Sequence, residues 1–167
     1  MVNLDRIAVR VAHDFKGRVV FVGAFAVVCH IGRYRQTRDI GLVLASPVTD
    51  EEFEEFGYQI FPEGGKKVIR SREEVKIDVF TRDIGGIPVA TIFETAVEKQ
   101  LEAGRVRIIC LEALLIAKMR AARPQDIADV QELCRRRGKS IRWNMVKSLA
   151  TETEAAELKN VVLAFSG

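Results

Sequence analysis

The stretch YRQTRDIGLVL, residues 34–44, places Asp39 at the mouth of an apolar segment. Residues two apart in an extended chain point the same way, so Asp39 and Gly41 share one side. Acids at both positions would form a paired carboxylate for metal ions, but Gly41 has no side chain. A further acid, Asp78, stands in EVKIDVF (74–80), where Val75, Ile77 and Val79 alternate with Lys76, Asp78 and Phe80. Central strands disfavour aspartate. Two such acids on adjacent strands would offer hard oxygen ligands suited to Mg²⁺ or Mn²⁺. The alternative is that Asp39 caps a turn and Asp78 faces solvent.

Other residues invite a similar choice. Gly23 closes the apolar run RVVFVG just ahead of AFAVVCHIG (24–32). A strand–glycine–helix corner offers backbone N–H groups and a helix dipole to a phosphate, or it is merely a tight turn. Lys118 continues the apolar stripe of Leu111, Leu114 and Leu115 in LEALLIAKMRAA. Its amine either snorkels to water or serves a site that needs positive charge. Asp126 and Asp129, three apart in PQDIADVQELCRRRG, could pair with Lys118 or Arg123 as a helix–helix salt bridge. The run RRRGK (135–139) reads as a solvated helix end.

These residues need elements to hold them. Helical spacing of Leu4, Ile7, Ala8, Val11, Ala12 and Phe15 predicts an amphipathic helix over 4–15. Strands follow at 18–23 and 39–45, with a short buried helix between them. Thr49, with Glu52 three residues on, has capping-box spacing and should start a helix within 46–56. KKVIRS and EVKIDVF read as strands, IGGIP as a turn, 91–101 as a helix and RVRII (105–109) as a strand. Two helices then meet at Arg123 and Pro124, and the remainder, 140–167, reads as helical. The order predicts an α+β domain, a small mixed sheet backed by helices. Residues 1–109 form the core, and 110–167 form a helical segment packed on it.

Composition is that of a globular protein: 167 residues, 48% hydrophobic, 29% charged, net charge +3. No apolar run approaches the roughly 20 residues that span a bilayer, and the N-terminus lacks a signal-peptide block, so a cytoplasmic location with no membrane partner is expected. Three cysteines without CxxC spacing argue against a disulfide framework or structural zinc, and two histidines are too few for a histidine-built metal centre.

Taken together, FVGAFAVVCHIGRYRQTRDIGLVL, VKIDVF and LEALLIAKMRAARPQDIADVQEL resemble the minimal nucleotidyltransferases of the DNA polymerase β superfamily, most closely its AbiEii-type, toxin-like branch. The resemblance covers about residues 18–135. It implies the nucleotidyltransferase fold, with Gly23 and Ala24 as the phosphate corner and Arg35 and Thr37 leading into Asp39. Asp39 and Asp78 would be metal carboxylates, and Lys118 and Arg123 would approach nucleotide phosphates. Asp126 and Asp129 match the distal acids of the helical signature. The implied catalytic set is Asp39, Asp78 and Lys118, and the implied cofactor is Mg²⁺ or Mn²⁺. Two such ions activate the attacking hydroxyl and stabilise the leaving pyrophosphate. The implied reaction moves a nucleoside monophosphate from a nucleoside triphosphate to RNA, including tRNA, or to protein, and a toxin of this kind would have an antitoxin partner. Three positions depart from the pattern: Ala24 replaces a second Gly or a Ser, Gln125 a basic residue, and Gly41 the second acid of Asp-x-Asp. Loss of one positioned charge costs on the order of 10² in rate. The alternative reading is therefore a catalytically inactive module of the same fold that binds nucleotide, RNA or a protein partner.

Overall fold

Asn3 accepts the Asp5 and Arg6 backbone N–H groups at 3.0 and 3.3 Å and starts the first helix, α1 (Leu4–Asp14). The computed structural model describes residues 2–63 and 66–166. Met1 and Gly167, the end residues of the two segments expected from sequence, lie outside it.

After α1 come β1 (Val19–Val22), α2 (Gly23–Ile31), β2 (Ile40–Leu44), α3 (Asp50–Glu55), β3 (Gln59–Glu63), β4 (Lys66–Arg70), β5 (Lys76–Phe80) and α4 (Val89–Thr95). The hairpin β6 (Val97–Leu101) and β7 (Gly104–Ile108) leads into α5 (Leu111–Ala121), α6 (Pro124–Arg137), α7 (Trp143–Leu149) and α8 (Glu152–Phe165). The strands form one mixed sheet in the order β3-β4-β5-β2-β1-β7-β6. β2 runs parallel to β5 and β1 parallel to β7; the other neighbours are antiparallel.

One sequence expectation is corrected here, and one element is added. The helix expected over 91–101 stops at Thr95, and its second half is β6. Val97, Lys99 and Leu101 are half-buried while Glu98 and Gln100 are exposed, a period of two that a hairpin with β7 exploits. Gln59–Glu63, not assigned from sequence, is the edge strand β3. The sheet is thus larger than expected. Thr49 caps α3 through Glu52 N–H at 3.2 Å, so this predicted start stands.

Strand alternation divides the sheet into two faces. On one, Phe21, Leu42, Ile69 and Ile77 pack with α1, Phe15 and Phe53 in one apolar core. On the other, Val20, Val22 and Val43 join Leu114, Leu115, Val130 and Leu133 of α5 and α6 in a second. His30, buried on α2, bonds the Ile109 carbonyl through Nε2 at 2.8 Å and ties α2 to the end of β7.

The register on the second face matters most. Phe61 pairs with Val68, Val68 with Asp78, Asp78 with Gly41, and Gly41 with Val22. Directly paired residues share a face. This row therefore runs across five strands, from exposed Phe61 to the Val22 end of β1.

Candidate functional site

β1 ends at Val22 and α2 begins at Gly23 without a connecting residue. Gly23 has φ +65°, and a Cβ added there would meet nothing within 4 Å. Backbone conformation, rather than space, is what asks for glycine. Among the described residues no side chain caps α2, so its first-turn N–H groups have no side-chain cap there. Ala24 follows, half-buried, inside the first turn.

This corner opens onto a cleft of about 380 Å³ whose walls include Gly23, Phe80, Arg82, Lys118, Arg123 and Asp126. The chain turns sharply between α5 and α6 because Ala122 takes a left-handed conformation and Pro124 starts the next helix. That turn sets the last turn of α5 against the first two turns of α6. Lys118 Nζ lies 3.2 Å from Asp126 Oδ1 and 2.8 Å from Asp129 Oδ2. The salt-bridge alternative for this cluster is therefore present in the structure. Asp126 Oδ2 also accepts from Arg123 Nε at 2.7 Å and from the Arg123 backbone N–H at 3.3 Å.

Asp129 is fully buried and saturated with donors. Arg35 grips it with two parallel bonds, Nε to Oδ1 at 3.0 Å and Nη2 to Oδ2 at 2.9 Å. Tyr34 Oη and Gln125 Nε2 donate to the same carboxylate, the latter at 3.2 Å. Burial opposes ionisation of Asp126, but the Arg123 bond and Lys118 hold its carboxyl below the usual range. Burial pushes the Asp129 carboxyl upward; Arg35 and Lys118, bonded to its oxygens, favour the charged form. Burial lowers the Lys118 ammonium, against the pull of Asp126.

The other sequence-chosen residues lie elsewhere. Asp39, exposed, lines a second cleft of about 560 Å³ together with Arg35 and Thr37, whose buried Oγ1 has no hydrogen-bond partner among the described residues. Asp78 is half-buried; Lys66 Nζ is 3.1 Å and Lys76 Nζ 3.9 Å from its Oδ1, and among the described residues no hydrogen bond reaches that oxygen. Lys76 feels the charges of both Asp39 and Asp78. The structure thus gathers Gly23, Lys118, Arg123 and Asp126 around one cleft and sets Asp39, Arg35 and Thr37 around another, with Arg35 bridging to Lys118 through Asp129. Sequence reasoning missed Arg82, exposed in the first cleft and free of ion pairs among the described residues. The signal was there: a basic residue two positions beyond the strand that carries Asp78.

A family described as "Nucleotidyl transferase of unknown function (DUF2204)" matches residues 5–166. The chain belongs to it. Three solved structures are similar to it in fold. ANT(2")-Ia in complex with adenylyl-2"-tobramycin is 17% identical with a TM-score of 0.57, over 94% of this chain and 95% of that one. An antigenic nucleotidyltransferase-like protein from Paracoccidioides brasiliensis is 15% identical with a TM-score of 0.56, over 78% and 73%. JHP933 from Helicobacter pylori is 13% identical with a TM-score of 0.56, over 98% and 91%. No functionally curated protein matches the sequence. The seven-stranded mixed sheet with its helices is the nucleotidyltransferase fold of these neighbours.

Whether this family member could hold a pair of divalent cations is decided by its donor set. Among the described residues, no three metal-ligating side chains cluster. Gly41, paired with Asp78 in the register, offers no oxygen, and Asp78 already faces two ammonium groups. Two carboxylates with two lysines carry no surplus negative charge to set against two cations. The residues present do not fit a two-cation centre.

Proposed function

We propose that the protein is a nucleotide-binding member of the nucleotidyltransferase family, taking the phosphates of a nucleoside triphosphate at the Gly23 corner. One observation carries the reading: the uncapped start of α2 and the exposed cations Arg82 and Arg123 line the same cleft. The helix N-terminus supplies N–H donors and a partial positive charge to a phosphate. The guanidinium of Arg82 supplies a planar, bidentate donor, Arg123, whose Nε and Nη2 are bonded to Asp126, adds Nη1, and Phe80 offers a flat apolar wall to the base. Lys118, neutralised by two buried acids, holds the α5–α6 corner rather than the ligand. This is the inactive-module alternative, with nucleotide as its ligand.

A second reading, transfer of a nucleoside monophosphate to RNA or protein, draws on Asp39 and Asp78, which both act on Lys76; a role for Mg²⁺ or Mn²⁺ in it rests on the sequence resemblance, against the donor set described above. The toxin role, an RNA acceptor and an antitoxin partner rest on the sequence resemblance alone.

Calorimetric titration of ATP, GTP, CTP and UTP, each with and without Mg²⁺ or Mn²⁺, tests both. Binding that needs no metal, persists in Asp78→Ala and weakens about tenfold in Arg82→Ala or Arg123→Ala, the worth of one charged hydrogen bond, supports the first reading. Metal-dependent binding lost in Asp78→Ala supports the second. Failure of all four nucleotides to bind overturns the first.

A further inference from the structure

The surface beside the nucleotide cleft carries a second feature. The cleft holding Asp39 shares Asp5, Val28 and Arg33 with a neighbouring cleft of about 570 Å³ at the C-terminal end of α2, so the two form one continuous track. Eight Lys and Arg side chains line the two clefts; Arg35, Lys76 and Arg136 are paired with acids outside the lining, which leaves Arg33, Arg38, Arg70, Lys99 and Arg137 against the unpaired acids Asp5, Asp39 and Glu74, a surplus of two positive charges among the described residues. The whole chain carries only +3. The unpaired charge on this track thus accounts for most of the net charge of the chain.

Arg136, which also pairs with Glu132 at 2.6 Å, and Arg137, from the run that reads as a solvated helix end, reach back to α2. They donate to the Ile31 and His30 carbonyls at 2.8 and 3.1 Å and form one wall of the track. Arg33, Arg38, Arg70 and Lys99 make no ion pair among the described residues. At the far end, Arg70 lies 5.2 Å from the ring centroid of Phe61, which is 42% exposed on the sheet face left uncovered by α5 and α6. An open aromatic ring under a guanidinium, joined to a basic groove, combines the stacking platform and electrostatic track that single strands use.

We propose that this track binds a single-stranded nucleic acid, with its backbone along Arg38, Arg33 and Lys99 and a base stacked on Phe61. Six of the eight cations are arginine, the side chain whose planar fork matches a phosphate. An acidic peptide would gain from the charge but not from the ring. The site is separate from the Gly23 cleft, so the inference stands whether or not a nucleoside triphosphate binds there.

The test is fluorescence anisotropy of labelled oligo(U) and oligo(dT) 12-mers and a duplex of equal length, titrated with the full chain across a salt series. Two variants are compared with the wild type: Phe61→Ala, and Arg33→Ala/Arg38→Ala/Lys99→Ala. All four positions are exposed or half-buried, and thermal melting checks that both variants fold. Single strands are expected to bind more tightly than duplex. Phe61→Ala should weaken binding by about tenfold, and the triple variant should reduce the slope of log K against log salt by about 2. Preference for the ribose or the deoxyribose strand identifies the source, and equal affinity assigns single strands generally; each supports the inference. Absence of binding at low salt, duplex preference, or indifference to both variants overturns it. So does displacement of the strand by polyglutamate of equal charge, or loss of binding in Arg82→Ala with none in the track variants.

Discussion

Replacing Asp129 with alanine strikes the point where Arg35, Lys118, Tyr34 and Gln125 converge. The Asp129 side chain is 0% exposed, Lys118 9% and Arg35 24%, so solvent cannot take over the lost partner without rearrangement. Removing one member of a buried ion pair leaves the other uncompensated and costs about 3–5 kcal/mol. That is a large part of the roughly 5–15 kcal/mol that holds a domain folded. For a chain of this size it corresponds to a fall in Tm of about 6–20 °C. Urea unfolding and thermal melts followed by circular dichroism measure both. The double variant Lys118→Met/Asp129→Leu, which replaces the charged pair by apolar volume, is expected to recover at least about 2 kcal/mol relative to additivity. If Asp129→Ala costs less than about 1 kcal/mol, or the double variant is additive, the network does not hold the α5–α6 corner and the reasoning fails.

Gly41→Asp supplies the missing acid; the new Cβ would lie 3.4 Å from Val22 Cγ2, an ordinary contact. Millimolar Mn²⁺ should then raise its Tm by about 5–10 °C when the ion is at 100-fold excess over Kd, and leave the wild type unmoved. Gly23→Ala should cost about 1–2 kcal/mol in urea unfolding, since φ +65° disfavours any side chain even where space is open. The Arg120 bond, with the Thr151 backbone N–H, holds the Glu154 carboxyl at about 2. A depressed folded value means its stabilisation is complete above the ordinary carboxyl range and is lost as pH falls from there towards 2. Melting curves of Glu154→Gln should therefore fall less steeply with acid than those of the wild type over that window.

Much of this was legible in the chain itself. The strand–Gly23–helix corner, the Thr49 cap and the Pro124 start are local signals, each decided within a few residues, and each appears in the structure. The β6 strand was hidden because 91–101 supports either period until its partner β7 is known, and pairing is a non-local fact. The edge strand β3 was obscured by Pro62, which suits an edge but breaks a strand pattern read in isolation. At the site, the spacing of Lys118, Asp126 and Asp129 marked them as neighbours on facing helices. That Arg35 would spend its fork on Asp129, 94 residues away, had no local signature. Nor did the pairing of Asp78 with Lys66, which depends on the register of β4 against β5.

The Arg35–Asp129 bridge also has a meaning for synthesis. At about 5–20 residues per second, the 94 residues between its two ends take about 5–20 s to appear. Through that interval β1, β2 and β5 can already pair while the loop carrying Tyr34, Arg35 and Asp39 has no anchor for its arginine. Order of emergence thus makes the sheet centre available before the loop can be locked by α6. A stall or truncation before residue 129 would leave the site loop unfastened and the second core without Val130 and Leu133.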